Sequence, residues 1–404
     1  MIYILLHKDI PVCVFELEAE VISAIFNRKT SDHLPLPLKR VIHYPKEFVK
    51  ETLGEQLILN EEGCALLDFW LNDRTIPANR KNMSKYGTSV NNRLSWMLEN
   101  HACSLDDCYW IRNRDTHLSW EEVNLYGYEQ LDILTQEKLS EKAHYKNGAN
   151  STLGGELEKY WFCDVSDNAK TLYLCKKVSP SNDILMIREI IANHIYEKSG
   201  YENFCRYKYV YNRSGQIAGC FCKAFTSEKL ELITAYDLLE EYNLTQQDDL
   251  YSIIVEATAK YGLQEALTRE YLDTQIIVDY LITNRDRHQG NIGFLRNPDT
   301  LEILSPAPIY DSGSSESMEY ELPIDTEHTR VNGLYHTEAE CLQHVSDLSR
   351  VDLSKLPAED IIKSELEKSS TLSSERKNFL IKLYNEKVTY LGQRTRKKGD
   401  LRSP

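Results

Sequence analysis

Asn284-Arg285-Asp286-Arg287-His288-Gln289-Gly290-Asn291 is followed, twenty residues on, by Asp311. An Asp and an Asn five positions apart, with a second Asp downstream, are the side chains that phosphoryl transfer needs. In that chemistry one carboxylate, Asp286, faces the attacking hydroxyl. The Asn291 oxygen and the Asp311 carboxylate hold the Mg²⁺ that neutralises the phosphates of ATP. The spacing therefore predicts a kinase, and it requires a phosphate loop and a lysine elsewhere in the chain.

The flanks of this stretch support a loop closed from both sides. Leu272, Ile276, Ile277, Tyr280 and Leu281 recur at helical spacing and run straight into Asn284. Beyond it, Ile292 and Phe294 alternate with polar neighbours, Asn297-Pro298-Asp299 reads as a turn, and Ile309-Tyr310-Asp311 reads as a last short strand. Such a hairpin returns Asp311 to the vicinity of Asn291. Gly313 lies two residues past Asp311, as in the kinase Asp-Phe-Gly motif. A helix-capping Asp and an ordinary turn Asp would explain single residues. The concentration of polar groups in one loop, with the returning Asp, favours the functional reading. His288, two residues past Asp286, is read as shaping the loop by hydrogen bonding.

Upstream, Ser151-Thr152-Leu153-Gly154-Gly155 enters an aromatic strand ending Lys159-Tyr160-Trp161-Phe162. This turn lacks both GxGxxG and the Walker lysine, yet its backbone N–H groups are candidates to cap phosphates. Lys176 follows in a second strand, Thr171 to Lys176, where alternation places it on the inward face with Leu172 and Leu174. It is the candidate lysine for the α- and β-phosphates. Lys177 points the other way. Glu189, in the next helical stretch (Met186, Ile187, Ile190, Ile191, Ile195), is either its partner or an exposed helix glutamate. Strands near 206–211 and 216–222 flank the turn Asn212-Arg213-Ser214-Gly215, and Leu250 to Tyr261 reads as an amphipathic helix. A small β-rich lobe thus precedes a helical one. In the first part of the chain, residues 2–7 and 12–17 read as a β-hairpin, Glu18 to Phe26 as a short helix, and Glu61 to Leu71 as a helix. Trp96, Trp110, Trp120 and Trp161 read as core aromatics.

Composition narrows the class. Hydrophobic residues at 42% and charged residues at 27% describe a globular chain. No apolar run approaches the roughly 18 residues of a membrane span. The start lacks a basic leader before its short apolar run, and ten scattered cysteines have no zinc spacing, so reduced thiols and a cytoplasmic location are expected. A net charge of −15 argues against nucleic acid as the main partner, because phosphate binding needs a basic face.

The stretch 284–291, followed by Ala307-Pro308-Ile309-Tyr310-Asp311, resembles the C-terminal kinase domain of HipA-type proteins, the bacterial Ser/Thr kinase toxins of toxin–antitoxin modules, including their CtkA-like branch. The likeness covers roughly residues 145–395. It implies Asp286 as catalytic base with His288 beside the nucleotide, Asn291 and Asp311 as Mg²⁺ ligands, and Lys176 as the ATP lysine. It implies Lys223-Ala224-Phe225 as the hinge that holds adenine, with Tyr310 in the same nucleotide site. Ser151 resembles the autophosphorylated serine of the glycine loop, with Thr152 the neighbouring alternative. A dianion there would repel ATP's phosphates and switch the enzyme off. The partners implied are a protein with a Ser or Thr acceptor and a small helix-turn-helix antitoxin. The expected architecture is α+β. An α+β N-terminal accessory module spans 1–140, and a bilobal protein-kinase-like domain spans 145–395, its N-lobe about 145–226 and its C-lobe about 227–395. A basic flexible tail, 396–404, follows. Two other readings stay open, a lipid or small-molecule kinase and a nucleotide-binding pseudokinase. The acidic segment Glu316 to Glu321 counts against a phosphoinositide acceptor.

Overall fold

A computed structural model of the chain describes residues 1–40, 45–51, 54–74, 97–127, 132–133, 157–166, 169–242, 244–245, 247–313 and 323–400. Apolar alternation in the first residues builds an antiparallel sheet. Strands β1 (Ile2–His7), β2 (Ile10–Leu17), β3 (Val21–Asn27), β4 (Pro45–Glu51), β5 (Gly54–Leu59) and β6 (Tyr109–Asn113) form six strands in the order β4-β5-β3-β2-β1-β6. Helix α1 (Glu61–Asp73) packs on it, capped by Asn60, whose side chain accepts from Gly63 N.

Where a helix was expected from Glu18 to Phe26, residues 18–20 form a bend and Val21–Asn27 a strand. Val21, Ile22 and Ile25 are β-branched and stiff at χ1, which suits a pleated surface. The decisive contacts are distant ones: Phe15 pairs with Ala24 on one side and Ile25 with Ile58 on the other.

The second sheet takes the order β10-β11-β9-β8-β7, from β7 (Asp132–Ile133), β8 (Glu158–Ser166), β9 (Ala169–Lys177), β10 (Lys208–Tyr211) and β11 (Ile217–Lys223). Helix α2 (Ile184–Ser199) buries Met186, Ile187, Ile190, Ile191 and Ile195, and ends at Gly200 in the left-handed conformation. The helical half contains α3 (Ala235–Leu239), α4 (Leu250–Lys260), α5 (Glu265–Ile282), α6 (Glu338–His344), α7 (Glu359–Glu367) and α8 (Ser374–Asp400). A small sheet, β12 (Glu231–Thr234), β13 (Gly293–Arg296) and β14 (Ile303–Pro306), frames the loop 284–291. Helix α8 runs on to Asp400, where a flexible tail was expected from residue 396. Residues 401–404 lie outside the described residues. No helix among the described residues is long and apolar enough to cross a membrane. All ten cysteines are free thiols.

An apolar cluster and a buried ion network join the first sheet to the rest of the chain. Leu6, Leu105, Cys108 and Trp110 share one apolar cluster with Trp161, Cys163 and Leu172 of the second sheet. At the small sheet, Glu231 lies buried between Arg296 (2.6 Å) and His7 (3.2 Å). Arg296 also donates to the Tyr109 hydroxyl at 3.1 Å. Burial alone would push the Glu231 carboxyl up, but the Arg296 guanidinium and His7 outweigh it and bring it down to about 2. A depressed carboxylate stabilises the fold above its ordinary value of 4.5 and loses that contribution as pH falls toward about 2. Arg296→Met leaves this carboxylate buried without its guanidinium and is expected to cost about 3–5 kcal/mol, read by urea denaturation at neutral pH. A cost under about 1 kcal/mol, the size of an exposed pair, would show that the network does not hold the sheets together.

Candidate active site

Helix α5 delivers the loop. It ends at Thr283, a β-branched residue at φ 63°, where left-handed backbone is unfavourable. Strain of this kind persists only where its surroundings over-determine it, and it gathers at functional loops. Here Asn284 N donates to Asp279 O at 2.8 Å and its side-chain amide donates to Asp279 Oδ1 at 2.9 Å. Asn284 Oδ1 in turn accepts from Asp286 N at 3.2 Å.

Asp286 is half-buried. Its Oδ1 accepts from Asn332 Nδ2 at 2.8 Å, and its backbone carbonyl accepts from Asn291 Nδ2 at 3.2 Å. That second bond sets the amide of the buried Asn291 with its nitrogen toward the loop. Among the described residues, no hydrogen bond reaches Asn291 Oδ1. His288 is exposed, and its Nδ1 accepts from Gly290 N at 3.1 Å, closing the turn at Gln289–Asn291.

Asp311 returns to the site, though not as part of a strand. Ile309 makes a single bridge to Phe204, and Asp311 then turns to φ 54°. The turn sends its Oδ1 to Lys176 Nζ at 2.8 Å. Lys176 is 2% exposed and also donates to Glu189 Oε1 at 2.7 Å. Glu189 is therefore its partner and not an exposed helix residue. The other Glu189 oxygen accepts from Ser312 N at 2.9 Å. Gly313 completes the approach, because a Cβ there would sit 2.4 Å from Leu185 O. Burial would push the Lys176 ammonium down, but Asp311 and Glu189 outweigh it and hold it well above the ordinary lysine value. Burial would push the Asp311 carboxyl up; Lys176 and then Lys159 hold it well below the usual carboxylate range. Lys159 lies directly opposite Lys176 in the β8–β9 pairing, on the same face of the ribbon. The sequence reading passed over it as part of an aromatic strand.

Arg287 was also passed over, and it is the structural hub. Buried, it grips Asp279 through Nε (2.7 Å) and Nη2 (3.0 Å). Its Nη1 donates to Asn291 O at 3.0 Å and to Tyr310 O, and Nη2 donates to Ser312 Oγ at 3.2 Å. One planar fork thus ties helix α5, the loop and the Asp311 turn together. Its place between Asp286 and His288 is plain in the sequence; its partners, two backbone carbonyls and the Asp279 and Ser312 side chains, are not.

The other site residues fall as follows. Tyr310 stacks on Phe225 with centroids 5.6 Å apart, and its hydroxyl donates to Gly290 O at 2.8 Å. Ala224 N donates to Leu172 O at 2.8 Å, and Lys223 is exposed at the end of β11. Ser151, Thr152, Gly154 and Gly155 lie outside the described residues, as does the acidic segment 316–321. The structure thus brings together Lys176, Glu189 and Asp311 in one cluster, and Asp286, His288 and Asn291 on the adjoining loop, which Arg287 ties to the Asp311 turn. The Asn291 amide oxygen and the Asp311 carboxylate are hard oxygen donors of the kind Mg²⁺ takes. Asp311 offers its Oδ2 while Lys176 occupies Oδ1.

No protein-family model matches the sequence, and no curated protein sequence does. Solved structures are similar to the chain. A chain of the Shewanella oneidensis MR-1 toxin–antitoxin complex of HipA, HipB and operator DNA aligns over 97% of this chain and 97% of its own, with 12% identity and a TM-score of 0.51. The crystal structure of the Helicobacter pylori proinflammatory kinase CtkA aligns over 62% of this chain and 95% of its own, with 20% identity and a TM-score of 0.45. The HipA-like, mixed α+β fold expected from the sequence is the fold of this chain.

Proposed function

We propose that this chain is an ATP- and Mg²⁺-dependent kinase of the HipA type that phosphorylates Ser or Thr hydroxyls on proteins. The observation that carries the reading is Lys176 held between Glu189 and Asp311, with Asp286 and Asn291 on the loop that Arg287 ties to Asp311. A buried lysine–glutamate pair joined to a metal-binding aspartate is the arrangement protein kinases assemble for catalysis. In this reading Asp286 orients the acceptor hydroxyl and takes its proton. Lys176 offsets charge on the α- and β-phosphates from a site that excludes water. Phe225 and Tyr310 form the apolar wall for the base. Asn291 and Asp311 would hold Mg²⁺, which when bound neutralises charge developing on the phosphates. Residues 145–395 would form the kinase domain and residues 1–140 an accessory module.

The test is incubation with γ-labelled ATP and Mg²⁺, alone and with cell lysate. Absence of label transfer, with ATP binding intact, would sink the enzyme reading and leave a nucleotide-binding interaction module.

The glycine loop carries a second expected result. Mass spectrometry of the recombinant protein is expected to find phosphate on Ser151 or Thr152, and none there in Asp286→Ala. Phosphate on both proteins alike would point to another kinase as its source. The matched Shewanella oneidensis complex is a toxin–antitoxin system of HipA, HipB and its operator DNA. A small helix-turn-helix antitoxin is proposed as partner here on that likeness, and growth arrest on expression, relieved by the product of an adjacent short reading frame, would support it.

A further inference from the structure

We propose that Asn332 is a positioning residue for the acceptor step, holding the Asp286 carboxylate in one plane. The role rests on the kinase reading of the site. Asn332 Nδ2 donates to Asp286 Oδ1 at 2.8 Å. A carboxylate accepts only from the nitrogen end of an amide, so the orientation of Asn332 is set by its partner. The backbone that carries it is anchored. Asn332 N donates to Arg285 O at 2.7 Å, and Arg285 Nε donates to Arg330 O at 2.7 Å. Segment 330–332 is thereby laced to the two residues that open the catalytic loop.

The segment is itself braced. Val331 N donates to His336 O at 3.0 Å, Arg330 bridges Thr337, and Thr337 caps helix α6 in a box with Glu340. Glu338, in the first turn of α6, pairs with the buried Lys387 at 2.6 Å. Lys387 Nζ donates to Tyr280 O at 2.9 Å, in the last turn of α5. A closed circuit therefore runs from α5 through the loop, Asn332, α6 and α8 back to α5. The amide that meets Asp286 hangs from a frame referenced to the helix that carries Asp286.

A stability role does not account for the contact. Asn332 is exposed, and an exposed neutral donor contributes little to folding. What the hydrogen bond does is restrict rotation of the Asp286 carboxylate. For a general base that restriction matters, because a misplacement of about 1 Å lowers rates by about 100-fold.

The experiment compares wild type, Asn332→Ala, Asn332→Asp and Asn332→Ser in phosphate transfer from γ-labelled ATP, to the protein itself and to dephosphorylated casein. The expected result is a kcat lowered about 10- to 100-fold in the Ala variant and at least as much in the Asp variant. Asp is isosteric, but it loses the donor and adds a like charge. The Ser variant, which keeps a donor, retains more activity than Ala. KM for ATP and the melting temperature stay unchanged in all of them, which a merely structural role would not leave so. Ala and Asp variants with at least half the wild-type kcat would overturn the proposal. So would a loss of kcat that tracks loss of ATP binding and of melting temperature. No transfer by wild type to either acceptor would sink the kinase reading itself, and this role with it.

Discussion

Lys176→Met is expected to abolish nucleotide binding and to cost about 3–5 kcal/mol of stability, because it removes the ammonium shared by two carboxylates in a largely buried cluster. Lys176 and Glu189 are buried and the Asp311 side chain is 27% exposed, so water cannot replace the lost ammonium at Glu189. The methionine keeps the stem packed and isolates the effect of charge. The sign of the pH dependence follows from the pair. In the wild type Asp311 is depressed, so its contribution is present above its ordinary value of 3.8 and is lost as pH falls through its folded value. Lys176 is raised, so its contribution is present below its ordinary value of 10.5 and is lost as pH rises through its folded value. Between those limits the wild type gains nothing from added protons at this site. In Lys176→Met the two carboxylates face each other without the ammonium between them, and a proton relieves their repulsion. The stability gap between variant and wild type should therefore shrink on going from pH 7.5 to pH 5, by urea denaturation at each. A gap that is constant with pH, together with unchanged ATP binding by calorimetry, would remove Lys176 from the site.

Asp286→Asn is expected to lower phosphate transfer by about 10²- to 10⁴-fold, the range of a lost general base. Nucleotide binding should survive, since Asp286 is not among the residues assigned to the phosphates. Asn is isosteric and can turn its amide oxygen to Asn332 Nδ2, so the hydrogen bond that anchors Asp286 persists and the fold with it. What disappears is the group that receives the hydroxyl proton. Label transfer from γ-labelled ATP, measured beside ATP affinity, separates the two. Transfer unchanged in Asp286→Asn would leave the kinase reading standing and sink the assignment of the base.

Several of these residues were legible before any coordinates because chemistry demands their types at short spacing. Asp286 and Asn291 lie five apart on one loop, and Asp311 follows across a hairpin that alternation announces. Lys176 was legible for a local reason too, since in a strand a lysine sharing its face with Leu172 and Leu174 must point inward. Its partner Glu189 was left open, because a helix glutamate looks the same whether it meets a lysine or water. The stretch from Glu18 to Phe26 was misread for a related reason. Its apolar residues fit a short helix about as well as a strand, and strands β2 and β5, which decide the matter, lie outside any local window.

Local patterns of residue type and spacing determined the helices, the β-rich half and the chemical identity of the loop, because periodicity and side-chain chemistry act over a few residues. Tertiary structure alone decided how those groups are held. Arg287 reaches Asp279 and two backbone carbonyls, Asn332 crosses 46 residues to Asp286, and Glu231 joins His7 to Arg296 across the whole chain. Backbone acceptors carry no mark in the sequence. Pairs so far apart meet only once hydrophobic burial has brought their elements together.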